Sequence, residues 1–296
     1  MSASTRLFVD AEGVRLRVVL DGPSGSNVPI LLLHGFTGSS ESMACVAGPL
    51  ARTRRVGRID LVGHGESDAP EELAAYSMQA CVDQVLAVVD ALGWEHPHLL
   101  GYSMGGRAAL ATAVARPERF ASLILVGATA GIFEAEARRA RVVADEALAA
   151  RIERDGLEAF VDAWMALPLF ASQKRLGTAA LERARAERLR QRSHGLAQSL
   201  RGMGAGAQAP LFDRLDRVVA PVLLVAGEED EKFQAIARAL EVRLPDARRV
   251  VVPDAGHAAH LEAPIPFSRG VNAFLEEREP HGGAAVGVAL EKGGPS

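Results

Sequence analysis

Cysteine is nearly absent. Only Cys45 and Cys81 occur in 296 residues, too few for a disulfide scaffold or a cysteine-built zinc site. Both are read as free structural thiols in a reducing compartment, so a cytoplasmic location is expected. Lysine is almost as scarce: Lys174, Lys232 and Lys292 are the only lysines among 33 basic residues. The resulting arginine excess is read as codon bias. Long apolar runs are missing too. Ile30–Leu33 and Leu123–Val126 fall far short of the roughly 18 residues that cross a bilayer, so no membrane insertion is expected. Met1–Asp10 carries no apolar h-region, so no signal peptide is expected. Nor is there a global basic field to recruit nucleic acid, because the net charge is −4. What remains is ordinary globular composition, 48% hydrophobic and 24% charged. An α/β fold can fill such a length as one domain.

The chain opens with short strands. Leu7-Phe8-Val9 is followed by the turn Asp10–Gly13, and Val14–Val19 alternates as a half-buried strand does. Pro29–Leu33 is a fully apolar strand running into His34-Gly35-Phe36-Thr37-Gly38. Arg55–Asp60 is a weaker strand that leads to Val62-Gly63-His64-Gly65. Ser77–Leu92 places Met78, Val82, Val85, Val88, Val89 and Leu92 on one helical stripe, which Gly93 ends. A strand at His98–Gly101, a small-residue helix over Gly105–Ala115 and strands at Leu123–Val126, Pro221–Ala226 and Arg248–Val252 complete an alternating pattern. That alternation predicts an α/β class: a mostly parallel central sheet with helices on both faces.

The middle is different. Gly131–Ala209 holds no convincing strand. Leu157, Phe160, Val161 and Trp164 mark an amphipathic helix with Asp155 as its candidate N-cap, and Leu181–Leu200 is a second, arginine-dense helical region. The reading is one discontinuous core, residues 1–130 and 210–278, with a helical lid inserted over 131–209. Residues 279–296, rich in Gly and Ala, are read as a flexible tail.

Gly101-Tyr102-Ser103-Met104-Gly105 fits G-x-S-x-G between a predicted strand and a predicted helix, the context that a nucleophile elbow requires. Such a turn holds a serine hydroxyl at the carboxyl end of the sheet, where a helix dipole favours developing negative charge. The pattern calls for an acid and then a histidine later in the chain. Asp230, in the loop after Pro221–Ala226, is the candidate acid, with Glu228, Glu229 and Asp254 as competitors. His257, in the loop after Arg248–Val252, is the candidate base, with His260 as competitor; Gly256 favours His257 by permitting a sharp turn. Backbone N–H groups of His34-Gly35-Phe36, with that of Met104, are the candidate oxyanion site. His34 and His64 are read as structural.

Together these residues resemble the α/β-hydrolase superfamily over about Leu7–Leu275. A finer likeness lies in four blocks: Gly101-Tyr102-Ser103-Met104-Gly105-Gly106-Arg107, Leu167-Pro168-Leu169-Phe170-Ala171-Ser172-Gln173, Ser199-Leu200-Arg201-Gly202-Met203-Gly204 and Gly227-Glu228-Glu229-Asp230-Glu231-Lys232-Phe233. They are similar to the 2-succinyl-6-hydroxy-2,4-cyclohexadiene-1-carboxylate synthase family of menaquinone biosynthesis. The resemblance implies a lyase that removes a ring proton and expels pyruvate, with no acyl-enzyme, no metal and no organic cofactor. Ser103 would act as the base in a triad with His257 and Asp230. Arg107, Arg141 and Arg188 would bind substrate carboxylates, Arg190 and Arg192 being close alternatives to Arg188. Phe36 and Met104 would give the oxyanion amides, and Trp164 and Tyr102 would line the site, Trp164 equally readable as lid core. Val62 and Ser42-Met43 depart from the family pattern and bear on pocket shape.

Charge supports a small polycarboxylate substrate. The segment 131–209 holds twelve Arg and one Lys against ten acids, a net of +3, leaving −7 for the rest. Arginine forks bind carboxylates bidentately, although most lid arginines are expected on solvated helix faces. The competing function is a serine hydrolase of the same fold, an esterase, thioesterase or C–C hydrolase working through an acyl-enzyme. A non-catalytic relative is disfavoured by the intact Ser-Asp-His set. Oligomeric state is left open.

Overall fold

The computed structural model of the chain describes residues 4–25 and 27–278. The tail read over 279–296 lies outside the described residues. Eight strands are present among the described residues: β1 (Thr5–Ala11), β2 (Val14–Asp21), β3 (Ile30–Leu33), β4 (Val56–Ile59), β5 (His98–Tyr102), β6 (Ser122–Val126), β7 (Val222–Gly227) and β8 (Ala247–Val252). They form one sheet in the order β1-β2-β4-β3-β5-β6-β7-β8. β2 runs antiparallel to β1 and β4, and the remaining pairings are parallel.

The central strands β3, β6 and β7 are buried along their whole length because both faces are covered. Side chains alternate between faces with period two. Leu31 and Leu33 join one core with helices α2 (Met78–Ala91) and α3 (Met104–Ala115); Ile30 and Leu32 join another with α1 (Ala44–Leu50) and α10 (Pro264–Glu276). β6 divides in the same way, Leu123 and Leu125 facing one side and Ile124 and Val126 the other. Each leucine fully buried in this manner contributes roughly 1.5–3 kcal/mol. α2 begins as its sequence indicates, with the Ser77 hydroxyl accepting from the Ala80 amide at 3.1 Å. Between β7 and β8 runs α8 (Glu231–Glu241), and a single turn, α9 (Ala259–Glu262), precedes α10.

Between β6 and β7 the chain inserts α4 (Ala135–Asp155), α5 (Leu157–Met165), α6 (Thr178–Arg188) and α7 (Ser193–Met203), with a 3-10 stretch at Pro168–Leu176. These helices pack on one another through Ala149, Ile152, Phe160, Val161, Leu196 and Leu200, and Phe36 packs against that cluster. One expectation is corrected here: Asp155 does not cap α5; it is the last residue of α4 and pairs with Arg154, while Gly156 (φ +85°) breaks the chain between the helices. The helical region Leu181–Leu200 is made of α6 and α7 with residues 189–192 turning between them. Among the described residues no helix is long and apolar enough to cross a membrane.

The parallel topology gathers the loops after β3, β5, β7 and β8 at the carboxyl edge of the sheet, where open α/β sheets place their sites. Phe36, Ser103, Asp230 and His257 stand in or at the ends of those loops.

Candidate active site

β5 ends at Tyr102 and α3 starts at Met104, so Ser103 alone makes the turn. Its backbone has φ 51° and ψ −107°, a sparsely populated region for a residue with a Cβ. The surrounding glycines are demanded by close approach. A β-carbon at Gly101 would overlap the Gly105 carbonyl, and one at Gly105 would overlap the Leu33 carbonyl. At Gly106 it would stand 2.6 Å from the Ala128 Cβ. The serine amide donates to the Val126 carbonyl at 2.8 Å, which fixes the elbow to the neighbouring strand.

His257 Nε2 lies 3.2 Å from Ser103 Oγ, and the opposite ring nitrogen, Nδ1, lies 2.8 Å from Asp230 Oδ2. The bond to the carboxylate fixes the neutral tautomer with its proton on Nδ1, leaving Nε2 to accept from the serine hydroxyl. Asp230 Oδ1 also accepts from the Phe233 amide at 3.3 Å and so caps α8. The imidazole is buried, with the rings of Phe233 and Tyr102 at 4.5 and 5.4 Å.

The competing residues are engaged elsewhere. Glu228 accepts from the Asp254 amide, Glu229 pairs with Arg175, and Asp254 is exposed. His260 is buried behind Tyr102, ring to ring at 4.5 Å, and burial pushes its pKa down to about 3. The reason for Gly256 differs from the expected one. Its φ is not left-handed; a β-carbon there would instead run into the Ser172 hydroxyl. His34 braces its loop, donating through Nδ1 to the Gly35 carbonyl at 2.8 Å and accepting the Leu61 amide at Nε2 at 3.0 Å. His64 donates to the Val62 carbonyl at 3.0 Å.

Phe36 follows β3, and Met104 is the first residue of α3. Neither amide donates to an acceptor among the described residues. Two free N–H groups, one of them at a helix N-terminus, can receive negative charge that develops beside Ser103. The Phe36 ring packs edge-on to Trp164 at 5.2 Å.

Above the serine lies a cavity of about 470 Å³, lined by Ser103, His257, Tyr102, Phe36 and Met104 from the body and by Trp164, Phe170 and Leu200 from the insertion. Arg107 and Arg141 also line it. Arg107 is 8% exposed and donates to Gln208 Oε1 at 2.8 Å and to the Met203 carbonyl at 2.6 Å. Among the described residues no carboxylate lies within ion-pair distance of it. Burial, helped by the positive charge of Arg141, lowers its pKa to about 10. It remains a cation at neutral pH, held by two neutral acceptors. Arg141 donates through Nε to Asp145 at 2.7 Å. Trp164 serves both expected roles, wall of the cavity and partner of Phe160 at 5.7 Å.

Arg188 is the residue the geometry does not bring to the cavity wall. It donates to the Ala184 carbonyl, and its pKa is lowered by burial, with Tyr102 and Glu187 among its electrostatic neighbours. Neither alternative replaces it: Arg190 lines a separate cleft with Arg6 and Glu41, and Arg192 donates to the Ser67 carbonyl. The insertion's positive balance does not simply face the serine. Arg185 pairs with Glu158 and Asp162, and Arg201 with Glu146 and Glu153. Sequence reasoning missed Gln208 and Asp145, which hold Arg107 and Arg141, and Lys232, which lines the cavity. Asp145 had a local signal, the i, i+4 spacing to Arg141; Gln208, 101 residues from Arg107, had none. Among the described residues no group of three or more His, Cys, Asp or Glu is arranged to hold a metal.

A family described as alpha/beta hydrolase fold matches residues 28–264. Over 265 residues the chain is 43% identical to the putative 2-succinyl-6-hydroxy-2,4-cyclohexadiene-1-carboxylate synthase of Bacillus subtilis (strain 168), spanning 90% of this chain and 96% of that protein. A synthase of the same name from Serratia proteamaculans (strain 568) is 30% identical over 247 residues, 83% of this chain and 92% of that one. Among solved structures, MenH from S. aureus superposes with a TM-score of 0.85 at 31% identity, covering 88% of this chain and 98% of that chain.

Proposed function

We propose a function for a chain that belongs to the alpha/beta hydrolase fold family and, within it, to the 2-succinyl-6-hydroxy-2,4-cyclohexadiene-1-carboxylate synthases. It is a carbon–oxygen lyase of menaquinone biosynthesis. It eliminates pyruvate from 2-succinyl-5-enolpyruvyl-6-hydroxy-3-cyclohexene-1-carboxylate to give 2-succinyl-6-hydroxy-2,4-cyclohexadiene-1-carboxylate.

The bond changes follow from the two names. The ring double bond moves from C3–C4 to C2–C3, and a new one forms at C4–C5. A proton therefore leaves C2, and the C5–O bond breaks. C2 is adjacent to the succinyl carbonyl, so removing its proton places negative charge on that oxygen. Ser103 takes the C2 proton while passing its own hydroxyl proton to His257, whose charged form Asp230 stabilises. The Phe36 and Met104 amides receive the enolate oxygen. The electron pair then moves through C3 and C4 to expel enolpyruvate, which accepts a proton from the imidazolium and becomes pyruvate. No acyl-enzyme forms, and the serine is regenerated.

Arg107 carries this reading. A guanidinium without a carboxylate partner, one helical turn from the serine and on the cavity wall, is a standing site for a substrate carboxylate. Arg141 supplies a second cation on the same wall. The same triad could also cleave an ester through an acyl-enzyme, so the test is run at the level of substrate. The purified chain is given the enolpyruvyl substrate with lactate dehydrogenase to report pyruvate, and separately p-nitrophenyl esters. Pyruvate release that far outpaces ester cleavage is the expected result. Brisk ester cleavage without pyruvate would overturn it in favour of the hydrolase.

A further inference from the structure

We propose that Gln191 is a positioning residue for the anion-binding loop, acting on Phe36 from outside the cavity. The proposal rests on the reading of the Phe36 and Met104 amides as the oxyanion pair. It does not depend on whether the bound anion is an enolate or a tetrahedral adduct.

Gln191 lies between α6 and α7 and is 6% exposed. Its Nε2 donates to the Gly38 carbonyl at 3.0 Å and to the Thr37 carbonyl at 3.4 Å, and its Oε1 accepts from the Gly65 amide at 2.9 Å. One primary amide thus joins two loops of the body that are not otherwise neighbours in sequence. Only Asn or Gln offers N–H donors and an acceptor on one short planar group.

The loop it grips needs holding. Thr37, the residue after Phe36, has φ +65°, a left-handed conformation that a β-branched residue rarely adopts. The Gly38 amide closes a tight turn onto the Gly35 carbonyl at 3.0 Å. Phe36 stands inside that turn, and its N–H shares a peptide plane with the Gly35 carbonyl, which accepts from the Gly38 amide and from His34 Nδ1. Gln191 binds the next two carbonyls of the chain, Thr37 and Gly38, and so holds the Thr37–Gly38 conformation on which that closure depends. The other end of the clamp is firm. Buried Asp60 accepts from the Glu66 amide at 2.9 Å and pairs with Arg17, which fixes the loop carrying Gly65. Gln191 therefore ties a strained turn to a rigid one, and it does so from the insertion.

A donor in an oxyanion site is worth about 10²–10³ in turnover when removed outright. Tilting one without removing it is expected to cost about 10–100-fold. The test uses Gln191→Glu, which keeps the acceptor and loses the donors, and Gln191→Met, which keeps the shape and loses both. Each is assayed for kcat and KM in pyruvate release. Each is also assayed for the rate at which a small neutral fluorophosphonate labels Ser103. In that labelling the serine oxygen bonds to phosphorus, fluoride leaves, the serine proton passes to His257, and the phosphoryl oxygen occupies the anion site. The expected result is kcat and labelling rate both lowered about 10–100-fold, KM within about threefold, and Gln191→Asn intermediate. Should Gln191→Glu fail to fold, Gln191→Met carries the test alone. Folded variants with both rates within twofold of wild type would overturn the proposal, as would a raised KM at unchanged kcat. Absence of pyruvate release in the wild type counts against the lyase reading only, because labelling still reads the loop.

Discussion

Gly127 packs so closely on His257 that a β-carbon at position 127 would stand 2.8 Å from Cε1 of the imidazole and 3.0 Å from Nδ1. Its φ of +56° adds strain for any other residue. Gly127→Ala must therefore move the imidazole, and misplacement by about 1 Å costs on the order of 10²-fold in rate. Gly93 is the control. It has a similar φ of +67° but nothing within 4 Å of a β-carbon. Gly93→Ala should cost about 1 kcal/mol of stability and leave kcat unchanged. Turnover of the two purified variants, with thermal melts, decides the matter. Equal activities would mean that His257 tolerates displacement.

Asp230 does two jobs that substitution can separate. One oxygen holds His257 at 2.8 Å, and the other caps α8 through the Phe233 amide. Asparagine caps a helix about as well as aspartate, but it presents a neutral amide to the imidazole. Asp230→Asn should retain nearly wild-type stability while losing roughly 10³–10⁴-fold in kcat. Asp230→Ala should show a similar loss of turnover and be about 1 kcal/mol less stable. Urea unfolding beside kcat reads both. If Asp230→Asn turned over normally, the carboxylate would not be the group that orients the base.

These dual roles show which parts of the site were legible in the sequence. Ser103, Asp230 and His257 each follow an apolar strand, and a parallel sheet brings such loops to one edge, so topology could be read from pattern. The inner strands β3, β6 and β7, buried along their length, announced themselves as apolar runs, while β2 showed alternation and β4 and β8 carry arginines. The insertion was less readable. α4 mixes charged and small residues around its whole circumference, with only Asp145, Ala149 and Ile152 buried, so no apolar stripe marks it. The arginines were ambiguous for a different reason. Arg107 and Arg201 look alike in sequence, but one meets two neutral acceptors and the other two glutamates. Partners more than 40 residues away decide that difference.

Arg107 and the paired arginines should accordingly behave differently. Arg107→Lys keeps the charge but loses the fork that reaches both Gln208 and Met203. A charge-assisted bond contributes about 1.5–3 kcal/mol, so KM for the polycarboxylate substrate should rise about 10–100-fold. Hydrolysis of a neutral p-nitrophenyl ester, if present at all, should change far less. Arg201→Ala, which removes a guanidinium already neutralised by Glu146 and Glu153, should leave KM within about twofold. Steady-state kinetics on the two variants are sufficient. A KM for Arg107→Lys equal to that of wild type would detach this residue from substrate binding.

Stability should fall on mild acidification, and the cause is a set of buried neutral histidines. Burial pushes His64, His98 and His260 down to about 3 and lowers His34 as well. His34 Nε2 has no room for a proton, because it accepts the Leu61 amide. In the unfolded chain each titrates near 6.5. Below that pH the unfolded state binds protons that the folded state refuses, so stability declines from about pH 6.5 toward pH 3. The slope approaches about 1.4 kcal/mol per pH unit for each of His64, His98 and His260, and each of these three should cost about 2 kcal/mol at pH 5, with His34 acting in the same direction. Together they reach the lower end of the total stability of an ordinary domain, about 5–15 kcal/mol. Asp60, whose carboxyl is held below its usual range by the Ser40 and Glu66 amides despite burial, adds a further loss only below about pH 4. Urea unfolding at pH 7.5, 6 and 5 should show the decline. His98→Gln, which replaces a ring bonded to Ser122 at 2.8 Å, should reduce the slope by about one proton. A flat stability between pH 7.5 and 5 would require the His64, His98 and His260 rings to accept protons in place.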